Sequence, residues 1–166
     1  MKSFVIKSLF LLALVVGFTS CDETETPELK STTFNYSFNT GQAATAYAYS
    51  GTHPTTLAAK LTIDEMTNGT SKVTVELTGA LDSTYMVHAH DKVSGQTLPY
   101  NQTPNATVYA APVVVSGGTG TSSQISTMSY EALTTTYDGF FVVHDASQGV
   151  STTDPTTYVV LGDFAR

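Results

Sequence analysis

One stretch of the sequence, residues 56–77, constrains the fold more than any other. Apolar and polar residues alternate through 56–64 and again through 73–77, which is the period of a β-strand with one buried face. Between the two runs stands Asn68-Gly69, a pair that favours the positive φ angles of a tight turn. The stretch therefore predicts an antiparallel β-hairpin.

The rest of the chain repeats this pattern in shorter runs. Further strands are predicted at 33–39, 43–49, 85–90, 107–115, 124–131, 140–144 and 157–164, with a helical turn near 131–134 and loops at 91–105 and 145–156. Short strands separated by frequent turns are typical of two packed antiparallel sheets. We therefore predict an all-β fold, an antiparallel Greek-key β-sandwich or barrel of about eight strands.

Residues 1–20 have the composition of an export signal. Lys2 and Lys7 accompany an apolar segment, and small residues and Cys21 follow it. The junction looks like a lipoprotein cleavage site, which implies cleavage before Cys21, lipidation of that residue and attachment to a membrane. The alternative is an ordinary cleaved signal peptide, which would leave Cys21 as a single free thiol.

An acidic segment, residues 21–31, follows the signal and has the composition of a solvated tether to a domain at 32–166. It resembles the surface-export signal of Bacteroidetes-type lipoproteins, which implies an exported protein anchored to the outer membrane and displayed at the cell surface. A plain flexible linker is the alternative. Without Lys2 and Lys7, five basic residues stand against fourteen acidic ones, a net charge of −9, which argues against nucleic acid as a partner.

Three of the four histidines occupy strand positions from which they can meet. His88 and His90 are two residues apart and point to the same side of a strand, while His144 ends the apolar run at 140–143. Neutral imidazoles at one sheet edge suit copper, zinc, iron or nickel. If the two strands are neighbours, they form a metal site; the alternative is that all three are ordinary half-exposed strand residues.

Three more residues are candidates for the surroundings of this site. Asp91 and Asp145 each follow a candidate ligand directly and could orient a histidine, although strand-end aspartates are commonly just exposed. His53 could supply a fourth ligand if its loop folds over the site; the alternative is a solvated loop residue.

From about residue 57 to the end, the order of elements resembles the Cu/Zn superoxide dismutase family. The segment VTVELTGALDSTYMVHAH is similar to that family's strand, turn and His-x-His strand, GFFVVHD to its Val-Val-His-Glu segment, and VVLGDF to its terminal strand. The resemblance implies a β-sandwich in which His88, His90 and His144 bind copper. If the domain is an enzyme, it implies dismutation of superoxide.

The departures from that family concern its second metal and its substrate. Residues 91–105 contain no histidine, so zinc is not expected. Leu161 stands in place of a disulfide cysteine, and Tyr158 in place of the arginine that steers the anionic substrate. Attraction of superoxide would then require Lys92 or another base nearby.

The chordin-type CHRD domain is similar in the same segments and implies the same histidine pair and single histidine. It favours the alternative function, a non-catalytic surface module that binds a partner or stores metal. Other enzyme classes lack their motifs, since the sequence contains no Gly-x-Ser-x-Gly, no phosphate-binding glycine loop and only one cysteine. A protein partner and the oligomeric state are not predicted.

Overall fold

The computed structural model describes residues 28–41, 47–94 and 102–166. This part of the chain forms eight strands and two short helical turns, at Ala132–Thr136 and Pro155–Thr157. The strands are β1 (Ser31–Ser37), β2 (Ala58–Glu65), β3 (Ser71–Thr78), β4 (Thr84–Asp91), β5 (Ala110–Val114), β6 (Thr119–Ser126), β7 (Gly139–His144) and β8 (Tyr158–Asp163). The predicted all-β class is therefore confirmed.

The strands form two antiparallel four-stranded sheets. The first has the order β1-β2-β3-β6 and the second β5-β4-β7-β8. The chain crosses between the sheets after β3, after β5, which ends in a tight turn into β6, and again after β6. Because β6 returns to lie beside β3, strands β3 to β6 have Greek-key connectivity, and the fold is a β-sandwich.

The predicted hairpin is β2 and β3, and its register follows the alternation of the sequence. Leu61 pairs with Val75 and Ile63 with Val73, all four fully buried. The turn closes with a hydrogen bond from the Gly69 amide to the Met66 carbonyl, and Gly69 has φ of +79°. The local pattern therefore determined both the turn and the face that enters the core.

The main core lies between the sheets and takes alternate residues of β2, β3, β4 and β7. The second sheet contributes Tyr85, Val87, Ala89, Val113, Phe141, Val143, Val159 and Val160. Part of the outer face of that sheet is buried too, because Phe140, Val142, Tyr158 and Leu161 form a second, smaller apolar cluster there, with Tyr47 packed against it. Three members of this cluster are cross-strand partners of histidines: Val142 pairs with His88, Phe140 with His90 and Tyr158 with His144.

Several predicted strand limits are wrong. Residues 106–108 form a turn, so the predicted strand 107–115 is shortened to β5. The predicted strand 124–131 is wrong at both ends, because β6 begins at Thr119 and ends at Ser126. The turn between β5 and β6 contains Gly117 and Gly118, which both have positive φ. Gly120 then belongs to the strand, where the absence of a side chain lets the Val114 carbonyl approach closely.

The predicted strand 43–49 is not found in the part of it that the structure describes. Residues 42–46 lie outside the described residues, and residues 47–49 are not in a strand. β1 begins at Ser31, the last residue of the predicted tether. The signal segment, Cys21 and most of the tether fall within residues 1–27, which are outside the described part of the chain.

Candidate metal centre

Strand β4 supplies two of the three histidines. Its alternation directs Tyr85, Val87 and Ala89 into the core, so His88 and His90 lie on the outer face of the second sheet. Their ring centroids are 5.8 Å apart. The sequence pattern alone predicted this arrangement.

The third histidine comes from β7, the direct neighbour of β4. Val87 pairs with Val143 and His88 with Val142, which brings His144, the next outward residue of β7, beside His88. The ring of His144 lies 5.1 Å from that of His88 and 6.5 Å from that of His90, centroid to centroid. One nitrogen from each ring lies within 4.8 Å of the others, so the group can hold a metal ion.

All three imidazoles are buried although they lie on an outer face. The exposed fractions are 6% for His88, 0% for His90 and 1% for His144. Part of the cover is Tyr158, whose ring meets His144 edge-on at 4.6 Å between centroids. The alternative of half-exposed strand histidines is therefore wrong for this structure.

A β-bulge between β7 and β8 places Tyr158 in this position. The register shifts after Val143–Val160, so that His144 faces Tyr158 and Val159 becomes an extra residue on β8. Val159 and Val160 both enter the main core, while Tyr158 turns to the outer face. Nothing in the sequence indicates the position of this bulge.

Burial keeps the imidazoles of His88 and His144 neutral. It lowers the pKa of His88 to about 4, with a further contribution from His90. It also lowers the pKa of His144 to about 3, and His88 and His90 act in the same direction. At neutral pH both rings therefore have a free nitrogen lone pair, which is the form that binds metal ions.

Hydrogen bonding leaves these lone pairs available. Among the described residues, Nδ1 of His88 and both ring nitrogens of His144 are buried without a hydrogen-bond partner. A buried polar atom without a partner typically costs about 1–3 kcal/mol. A bound metal ion would satisfy one such nitrogen on each ring and offset this cost.

The two aspartates that follow the ligands have other partners. Asp145 accepts hydrogen bonds from Tyr49, Ser147 and Gln148. Burial alone would raise its pKa, but these bonds lower it below the ordinary value. Asp91 accepts from Asn105 at 2.7 Å and from the Tyr137 hydroxyl at 3.0 Å. These recorded contacts hold loops and strand ends together, and none of them reaches a histidine.

His53 is neither a fourth ligand nor a solvated residue. It is 7% exposed, and its Nε2 lies 2.7 Å from the Tyr85 hydroxyl. Its Nδ1 lies 2.8 Å from the Pro54 carbonyl, which can only accept, so Nδ1 carries the proton and Tyr85 donates to Nε2. Both predicted alternatives for His53 are wrong, because the contact with Tyr85 depends on a fold that its loop sequence does not indicate.

Lys92 continues the outward alternation of β4, two residues beyond His90. Its ammonium lies 2.9 Å from the carboxylates of both Asp138 and Asp163, and 5.1 Å from the centre of the Phe140 ring. The hydrogen bond to Asp138 is the main cause that raises its pKa. The sum of these three charges is −1, so the group does not attract anions.

One residue on the same face was missed by the sequence analysis. Met86 precedes His88 by two positions on β4 and is partly exposed. The order Met-x-His-x-His within an alternating strand would have indicated it, since all three side chains must point to one side.

No match is found when the chain is compared with protein-family models, with curated proteins or with solved structures. The resemblance to superoxide dismutases and CHRD domains therefore stays a prediction. No helix within the described part of the chain is both long and apolar enough to cross a membrane.

Proposed function

We propose that this chain is an exported metal-binding protein whose centre, His88, His90 and His144, holds one copper ion. The observation that carries the proposal is the convergence of three buried imidazoles, with one nitrogen of each within 4.8 Å of the others. Neutral imidazoles need no deprotonation to bind, so the site is ready to accept a metal at neutral pH.

Copper is the metal that the ligand set favours. Among divalent ions, a nitrogen site generally binds copper most tightly, and imidazole suits both of its oxidation states. A cysteine-rich zinc site is impossible with one cysteine in the sequence. The resemblance to copper ligands of superoxide dismutases supports the same choice.

Superoxide dismutation is the second candidate, favoured by that resemblance. It requires an open position on the metal and a cation that attracts the substrate. Tyr158, which stands in place of the family's arginine, is buried against His144, and Lys92 is bound to Asp138 and Asp163. These observations favour the non-catalytic alternative, a module that stores or carries metal.

The location we propose follows from residues 1–31. The export signal and Cys21 support attachment through lipid to the outer membrane, and the acidic segment after Cys21 supports display at the cell surface. Metabolic labelling with a fatty acid tests this, because Cys21→Ser should abolish incorporation. Persistent labelling of that variant would contradict the anchor.

The test of the centre is the copper content of the purified protein after loading and dialysis, measured by elemental analysis. We expect one copper per chain, and loss of it in His88→Ala and in His144→Ala. His53→Ala is the matched control and should keep its copper, since His53 lies outside the cluster. Superoxide decay measured on the same samples decides between turnover and storage. Absence of stoichiometric copper would overturn the proposal.

A further inference from the structure

Met86 occupies a position from which its side chain can reach the three-histidine centre. β4 places it on the outer face, directly before His88 in the alternation. Val87 and Val143 are the last recorded pair at this end of the two strands, and the residues that follow them in the same register are Met86 and His144. Cross-strand neighbours have Cβ atoms about 5 Å apart, and methionine has three rotatable bonds with which to span such a distance.

The chemistry of methionine at this position is specific. Its thioether sulfur is a soft, neutral ligand that binds copper(I) and contributes little to hard cations. The second neighbour of β4 is the edge strand β5, in which the exposed Pro112 pairs with Met86. The side chain therefore lies at the rim of the buried centre, where an ion coming from solvent would meet it.

Charge selects between the two oxidation states of copper. The imidazoles and the thioether are neutral, and the recorded hydrogen bonds commit the nearby carboxylates of Asp91 and Asp145 to other partners. The free energy of desolvating an ion rises with the square of its charge, so desolvation of a monovalent ion costs about a quarter as much as that of a divalent ion of similar size. A buried centre without anionic ligands thus favours copper(I).

We propose that Met86 is a fourth ligand and that its sulfur, with the imidazoles of His88, His90 and His144, makes a centre selective for copper(I). This inference rests on the proposed function and adds to it the oxidation state of the cargo. A closed, neutral centre of this kind stores or passes on a monovalent ion and does not cycle it against a substrate.

X-ray absorption of the copper(I)-loaded protein tests the ligand directly. We expect a sulfur scatterer in the first shell of the wild-type protein, and its absence in Met86→Leu, a substitution that nearly conserves volume. We also expect Met86→Leu to weaken copper(I) binding by about tenfold or more, measured anaerobically by competition with a chromophoric copper(I) chelator, and to leave zinc(II) binding unchanged.

Met128→Leu is the matched control, because Met128 packs against the main core and should not affect copper. A copper shell made only of nitrogen, or equal affinities of Met86→Leu and the wild-type protein, would overturn the role of Met86 while leaving the three-histidine centre in place. Failure of the wild-type protein to bind any metal would instead overturn the proposed function.

Discussion

Tyr158 and His144 are cross-strand partners at a β-bulge, and the tyrosine ring packs edge-on against the imidazole at 4.6 Å. Both residues are almost fully buried. The contact connects the last strand of the sandwich to the candidate metal centre. The orientation of one metal ligand therefore depends on the packing of β8.

Replacement of this ring should affect both stability and metal binding. Tyr158→Ala would leave a cavity next to His144, and we expect it to lower the free energy of unfolding by about 3–5 kcal/mol. Copper affinity should fall as well, because the imidazole would lose the surface that orients it. Tyr158→Phe retains the ring and should retain most of the affinity. Denaturant unfolding and copper competition measure the two effects; unchanged affinity in Tyr158→Ala would show that the ring does not position His144.

The metal-free protein should lose stability as the solution becomes acidic. The pKa values of His88 and His144 fall from 6.5 to about 4 and about 3 on folding. Above pH 6.5 these rings are neutral in both the folded and the unfolded state, so they do not change the free energy of unfolding with pH. Between pH 6.5 and about 4 the unfolded chain takes up protons that the folded protein excludes, so the free energy of unfolding decreases.

Urea unfolding at a series of pH values measures this slope. The double variant His88→Gln, His144→Gln removes both groups and should flatten the curve between pH 6.5 and 4. An equally steep curve in the double variant would assign the pH dependence to other groups.

Gly162 is required by close packing between the edges of the two sheets. A Cβ at this position would lie 2.9 Å from Cδ1 of Tyr36, a buried ring whose hydroxyl bonds the Asp163 carbonyl and the Ala165 amide. We expect Gly162→Ala to destabilise the fold by about 1–3 kcal/mol, since the ring is held and cannot easily move. Asn35→Ser, an exposed change on β1, should cost less than about 0.5 kcal/mol. If Gly162→Ala unfolds at the same temperature as the wild-type protein, the two sheet edges can move apart at little cost in free energy.

His53 should prove structural. His53→Ala removes the acceptor of the buried Tyr85 hydroxyl, so we expect a loss of about 1–3 kcal/mol in the free energy of unfolding. Copper stoichiometry should not change, and this separates His53 from the three clustered histidines. Loss of copper in a variant that remains folded would place His53 in the metal centre after all.

Local patterns determined a large part of this protein. The alternation of β2 and β3 with Asn68-Gly69 between them is enough to predict a hairpin, its register and its buried face. The same period in β4 predicts that His88 and His90 share one side, because the geometry of a strand depends on its own backbone alone.

The tertiary structure decided the environment of those side chains. His144 reaches His88 through the pairing of β7 with β4, and Tyr158 covers His144 because of the bulge at Val159. The bond between His53 and Tyr85 likewise joins a loop to a distant strand. Such contacts depend on how separate segments pack, and no local period encodes that. The sequence by itself therefore indicated which residues could bind a metal, while only the fold brought them together, removed their water and lowered the pKa values of His88 and His144.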